Sequence, residues 1–255
     1  MPELIIPIWV AAVIFGTIAF FYSSVGLGGG SSYTALLAVL GASTQLIPAI
    51  SLSLNILVTT IGALVFLHKG HGRLRLIAPF LFSSIPMAYL GGLLDIPKTF
   101  FYFLLLISIV IAAWRIYAPS SARTISLNRT TQILLAVIAG AILGLLAGIV
   151  GIGGGIYLVP LIIILGLGTE KEAAACGAIF VWTNSVAGIA ARLQNGGINL
   201  MEYSPLLLTV IIGGALGSLL GSGNFSPRTM QKVLGSILIV AVLFMSKKIL
   251  VLYTV

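Results

Sequence analysis

Residues 24–41 read SVGLGGGSSYTALLAVLG, and residues 149–166 read IVGIGGGIYLVPLIIILG. Gly26, Gly28, Gly29, Gly30 and Gly41 of the first stretch fall on Gly151, Gly153, Gly154, Gly155 and Gly166 of the second at a single offset. Chance pairs apolar helices easily, but it rarely writes V-G-[L/I]-G-G-G twice in one chain. A second match follows in the same order: IPKTFFYFLLLISIVIAA (96–113) aligns with SPRTMQKVLGSILIVAVL (226–243) after a short insertion. The chain therefore reads as a duplicated unit, residues 1–117 and 131–255. The polar stretch 118–130, with Arg123 and Arg129, is expected to link the halves on the cytoplasmic side.

Composition says what solvent this unit faces. The chain has 255 residues, 59% hydrophobic and only 7% charged, with a mean hydropathy of +1.20. Soluble domains carry about a quarter charged residues. So few charges cannot cover a particle in water, whereas lipid makes apolar surface the correct exterior. Runs near 4–22, 46–67, 75–94, 98–117, 131–149, 171–193, 203–221 and 228–247 approach the ~20 residues that cross a bilayer as a helix. The net charge of +8 comes from Lys and Arg gathered between these runs. That pattern is a topology signal rather than a nucleic-acid footprint. The basic segments 68–75 and 115–129 should face the cytoplasm, which places the chain in a cell inner membrane as a multi-pass protein. The N-terminus MPELIIPIW has no basic residue, so residues 4–22 read as a retained helix rather than a secretory signal. Cys176 is alone, which excludes an intramolecular disulfide.

The glycine stretches carry the chemistry. Consecutive glycines are poor helix residues, at up to about 1 kcal/mol each relative to alanine. Each stretch precedes a short apolar run, 31–40 or 155–167, that is too short for a straight crossing. These read as half-helices or as second arms of hairpins. Irregular backbone inside a membrane survives only where it is buried in protein or lines a wet cavity. A helix N-terminus there offers free N–H groups and partial positive charge, which suits an anion. Inversion of the second half is favoured over a parallel copy, because loops entering from opposite faces can meet in one site. The basic residues do not decide between the two. By contrast, Gly140-xxx-Gly144-xxx-Gly148 and Gly213-xxx-Gly217-xxx-Gly221 read as helix-packing seams.

Other polar residues flank the loops. Ser51, Asn55 and Thr59 are four apart and share one helix face, and Asn184 falls on Thr59 by the repeat offset. An asparagine inside a membrane needs a partner, so Asn55 and Asn184 are candidate ligands; bonding between helices is the competing reading. Serine and threonine hydroxyls more commonly bond to their own helix. Tyr33, Tyr157 and Trp182 are candidate cavity walls or plain packing. Arg192 ends its run and reads as snorkelling to the interface, with an electrostatic lure for anions as the alternative. His68 and His71 read as solvated. No carboxylate falls mid-membrane. There is no GxSxG, HExxH or GK[ST], so hydrolase and nucleotide-binding readings have no support.

At the glycine loops the chain resembles the sulfite exporter TauE/SafE family of anion permeases, over nearly its whole length. The resemblance rests on VGLGGG and the helix after it (25–40), on VGIGGGIYLVPLI (150–162), and on the Lys- or Arg-bearing start of the last helix in each half. The second copy has a proline a few residues after the glycines, Pro160, where the first has Ala35. The resemblance implies transport of sulfur-containing or carboxylated anions such as sulfite, thiosulfate, sulfoacetate or related organosulfonates.

The expectation is thus an all-α polytopic membrane protein of two homologous repeats, with glycine-broken short helices and roughly eight to ten helices in all. It would be a secondary transporter of small anions working by alternating access; an anion channel and a non-transporting assembly subunit are the alternatives. The expected substrate site comprises Gly26, Gly28, Gly29, Gly30, Ser31, Ser32, Ser51, Asn55 and Thr59 from the first half. Gly151, Gly153, Gly154, Gly155, Ile156, Trp182 and Asn184 complete it from the second. No catalytic residue, metal or cofactor is expected. The expected partners are a small anionic substrate and membrane lipid, with no nucleic acid, and a homodimer is left open.

Overall fold

The computed structural model describes residues 4–117, 128–194, 201–221, 232, 235–236 and 238–247. Among them all regular structure is helical. The elements are α1 (Ile8–Ser24), α2 (Gly30–Val39), α3 (Leu46–His68), α4 (Leu74–Leu93), α5 (Lys98–Tyr117), α6 (Arg129–Val150), α7 (Gly155–Ile164), α8 (Glu170–Gln194), α9 (Ser204–Gly221) and α10 (Leu238–Lys247). Five long helices, α3, α4, α6, α8 and α9 with the short turn before it, are apolar enough to cross a membrane. Most of the expected linker (118–127), most of the 194–202 connection, and the Pro-Arg-Thr start of the last helix with Arg228 lie outside the described residues, as does the packing of Gly221.

The two short apolar runs are return arms of helical hairpins. The Ile5 N–H donates to Leu40 O at 3.0 Å, the Phe15 and Tyr33 rings stack at 5.2 Å, and Tyr22 reaches Ser31. These pairs run in opposite order along the chain, so α2 folds back along α1. α7 likewise brings the chain back to the end where α6 begins, because Arg73 just before α4 reaches Leu167 O and Glu172 just past α7.

Small residues set how the long helices pair. On α6, added Cβ atoms at Gly140, Gly144 and Gly148 would strike the backbone of Phe80, Ser84 and Ala88 in turn. On α9, Gly213 and Gly217 press against the backbone of Gly16 and Phe20. Both pairs ascend together, so α4 runs parallel to α6 and α1 parallel to α9. Each seam carries one cross-helix hydroxyl bond, from Ser83 to Val137 O at 2.7 Å and from Thr209 to Ala12 O at 2.7 Å. α3 and α8 cross in opposite directions at the centre, with Leu52 beside Gly188 and Gly62 beside Ala178. Followed through these pairings, the α1–α2 hairpin enters at the end where α3 begins, and the α6–α7 hairpin enters where α3 finishes.

The radial distribution of polarity fits lipid as solvent. Trp9, Phe82, Trp114, Met201 and Leu243 point outward and exposed, while Ser51, Asn55, Ser84, Asn184, Ser185 and Ser218 are fully buried. In lipid the outer face needs no polar cover, and polar side chains turn inward.

Candidate functional site: two glycine loops around Asn55

α6 stops at a left-handed glycine, Gly151, and the C-cap of α1, Val25, is followed at once by another, Gly26. Gly26 has φ 76° and Gly29 93°, and their counterparts Gly151 and Gly154 have 85° and 82°. An L side chain at Gly29 or Gly154 would be strained whatever the free space. Gly29 and Gly154 are the residues that open α2 and α7, and neither helix has a side-chain cap. The first backbone bonds into these helices start only at Ser32 and Tyr157. The N–H groups of residues 28–31 and 152–156 therefore meet no backbone acceptor among the described residues. Buried helix starts without such partners are unusual in a finished core.

The loops touch each other. A Cβ on Gly30 would collide with the Ile152 carbonyl. Ser51 on α3 ties both together: its hydroxyl faces Gly151 O at 2.9 Å and Gly30 O at 3.3 Å. One turn further along α3, the Asn55 amide is wedged among three loop glycines. Added Cβ atoms would lie 2.5 Å from its Nδ2 at Gly30, 2.9 Å from Nδ2 at Gly153, and 2.7 Å from its Oδ1 at Gly28. Neither amide atom of Asn55 has a hydrogen-bond partner, although the residue is completely buried. An orphaned amide of this kind costs about 1–3 kcal/mol. Asn184 is also completely buried with both amide atoms unpaired. The antiparallel α3–α8 register brings it level with Asn55.

The remaining expected residues divide. Ser31 and Ser32 are buried and accept or donate to the Tyr22 hydroxyl at 2.7 and 2.8 Å. Ile156 is buried beside the second loop. The Thr59 hydroxyl bonds to Asn55 O of its own helix at 2.6 Å, and its methyl group faces Gly28. Trp182 is 39% exposed, and its indole N–H donates to Thr60 on the outer side of the bundle at 2.9 Å. It does not join the cluster. Two further residues of the cluster, Tyr22 and Val181, went unnoticed in the sequence, and a third, Arg192, was expected to snorkel to the interface. Tyr22 needs the hairpin to bring it onto Ser31. Val181 covers both loops from α8, with a methyl group 2.8 Å from the added Cβ positions of Gly28 and Gly153. Arg192 turns inward instead of outward: its guanidinium donates to Gly148 O at 2.7 Å and Ile149 O at 3.0 Å, the last carbonyls of α6. A cation at that end offsets the negative pole of α6 just before the second loop.

The profile of the sulfite exporter TauE/SafE family matches residues 10–245. The chain belongs to this family. As a TauE/SafE member it is a multi-pass membrane transporter. It is 32% identical to the probable membrane transporter protein y4hK of Sinorhizobium fredii, over 90% of this chain and 94% of the relative. It is 26% identical to the probable membrane transporter protein YjnA of Bacillus subtilis, over 85% of this chain and 91% of the relative. No solved structure matches. For a TauE/SafE member, the match takes in both glycine loops and the helices α3 and α8 that carry Asn55 and Asn184.

Proposed function

We propose that this protein is a secondary transporter of small sulfur-containing anions, such as sulfite, thiosulfate or organosulfonates, in a cell inner membrane. The observation that carries the reading is the convergence of two uncapped helix starts on one unpartnered buried amide, Asn55. Free N–H groups of residues 28–31 and 153–156 would coordinate the anion's oxygens, as helix N-termini and glycine nests do for phosphate and sulfate. Asn55 and Asn184 would donate from α3 and α8. This arrangement supplies positive potential without placing a charged side chain on the substrate, so the emptied site returns at low cost. Two halves built as inverted copies would then expose the site to each side in turn. The proposal draws support from the opposite entry of the two hairpins and from the parallel α1–α9 and α4–α6 pairs, which exchange between the halves.

The test is flux into proteoliposomes loaded with purified protein, with sulfite, thiosulfate, sulfoacetate and acetate compared at equal ionic strength. A carrier gives saturable uptake and accelerated exchange when the same anion is inside. We expect both for a sulfur anion, with loss of flux in Asn55→Leu. Linear uptake without exchange would point to a channel, and equal flux of all anions would defeat the substrate assignment.

A further inference from the structure

At the end of the bundle where α4 and α6 begin, the two parallel helices border a cleft of about 250 Å³. Its floor is apolar, formed by Leu76, Pro79, Phe80, Ile133 and Ala136, and its rim carries Arg73, Arg75 and Arg129. Arg73 is already engaged, 3.3 Å from the Glu172 carboxylate. Arg75 and Arg129 are exposed and make no ion pair among the described residues. The rim therefore presents two uncompensated guanidinium groups over a greasy floor, at the end that the basic segments 68–75 and 115–129 assign to the cytoplasmic headgroup layer.

We propose that this cleft binds an anionic diacyl phospholipid, with the phosphate between Arg75 and Arg129 and an acyl chain along the α4–α6 seam. Charge complementarity commits the site to an anion, and guanidinium groups pair with phosphate through two parallel N–H bonds. The apolar floor selects an amphiphile over a free inorganic ion, which would gain nothing from Phe80 or Ile133. Basic pockets between membrane helices hold anionic headgroups on the same physical grounds. The groove between α1 and α9 provides an internal contrast. It is lined by Val13, Phe20, Phe21, Ile212 and Leu216, and among the described residues its side-chain polar groups are the hydroxyls of Thr17 and Thr209. It can hold an acyl chain but has nothing to select its headgroup. Arg75 belongs to the first half of the chain and Arg129 opens α6, so a bound phosphate bridges helices from both halves.

The test uses the full chain purified in detergent and stripped of lipid. Its thermal midpoint is followed while dioleoyl phosphatidylglycerol, dioleoyl phosphatidylcholine, or glycerol 1-phosphate is added. A ligand of the folded state raises the midpoint by mass action. We expect the phosphatidylglycerol shift to exceed that of phosphatidylcholine and glycerol 1-phosphate to give none. Arg75→Gln with Arg129→Gln should weaken phosphatidylglycerol binding about tenfold or more. Lys98→Gln, at the start of α5 and beyond the far end of α4, should leave it unchanged. Equal shifts with the two lipids, a full shift with glycerol 1-phosphate, or an undiminished shift in the double variant would each overturn the site. If the double variant does not fold, Ile133→Trp fills the floor with both arginines intact. Loss of the selective shift there supports the site, and retention overturns it.

Discussion

Gly29 and Gly154 share a left-handed conformation, φ 93° and 82°, and open helices of 10 residues each, yet their surroundings part company. Around the first loop stand Tyr22, Ser31, Ser32, Tyr33, Ser51 and Asn55. At the matching offset the second half has Ala147, Ile156, Tyr157, Leu158, Cys176 and Phe180. Backbone donors thus come from both halves of the chain, while hydroxyl and amide side chains come mostly from the first. Backbone N–H groups supply attraction for any small anion. Side chains decide how it is oriented, because they leave unpaired groups when the wrong pole faces them. On the proposed reading, oxygens of the anion lie toward the first loop, and its less polar portion lies toward Phe180 and Val181.

The sharpest way to break this comparison is to add one methyl group to each loop. A Cβ at Gly30 would meet the Ile152 carbonyl and the Asn55 Nδ2, backbone and a wedged amide that cannot retreat. At the matching Gly155 the closest atom is a Val181 methyl at 2.6 Å, which a rotamer change can move. Gly30→Ala is expected to force the loops apart, to cost about 1–3 kcal/mol of stability, and to reduce flux about 100-fold. Gly155→Ala should keep most of both. Equal damage from the two variants, read by thermal unfolding and proteoliposome uptake, would show that the loops are not distinguished by what lines them.

Asn55 and Phe180 occupy matching positions and should separate binding from stability. Asn55→Leu removes a buried amide without partners, so the folded protein should hold its stability or gain about 1 kcal/mol. Its anion-dependent thermal shift should disappear. Phe180→Leu opens space in a packed core and should lose about 1–2 kcal/mol, while the thermal shift survives. A packing-only role for the loops predicts that neither variant changes an anion response. Ser51→Ala lies between these cases. It deletes the hydroxyl shared by Gly30 O and Gly151 O and should cost about 1 kcal/mol, with a several-fold fall in flux as the loops lose their tie.

Much of this comparison was legible in the chain itself, for reasons that can be named. Apolar runs near membrane length define α3, α4, α6, α8 and α9, because in lipid a long apolar helix satisfies its own backbone whatever its neighbours do. The short runs after the glycines read as half-helices or hairpin arms, and the fold makes α2 and α7 the latter. Asn55 was legible because an amide in an apolar helix demands a partner. Tyr22 was not, since its contact with Ser31 exists only after the hairpin closes, and no local pattern marks closure. Arg192 misled for a related reason. At the end of an isolated helix a guanidinium reaches for the interface, but here the last carbonyls of α6 pass within reach. Trp182 shares its helix with Asn184 and still lies outside the cluster, because two positions along a helix turn a side chain to another face.

The smallest expected effect concerns Thr59, which matches Asn184 by offset. Its hydroxyl is satisfied within its own helix by Asn55 O at 2.6 Å, and only its methyl group faces Gly28. Thr59→Val keeps that methyl contact and the branched shape while deleting a hydroxyl that makes no loop contact. The Asn55 carbonyl loses only a supplementary acceptor role, and we expect stability within about 0.5 kcal/mol of the parent and flux within about twofold. Asn184→Leu, which removes an unpaired amide at the same level, should impair anion binding more than Thr59→Val does. If Thr59→Val instead lowers flux as strongly as Asn55→Leu, the hydroxyl must leave its helix during transport to reach the anion. The first half would then contribute one more polar side chain, and the imbalance between the loops would be larger than the resting geometry displays.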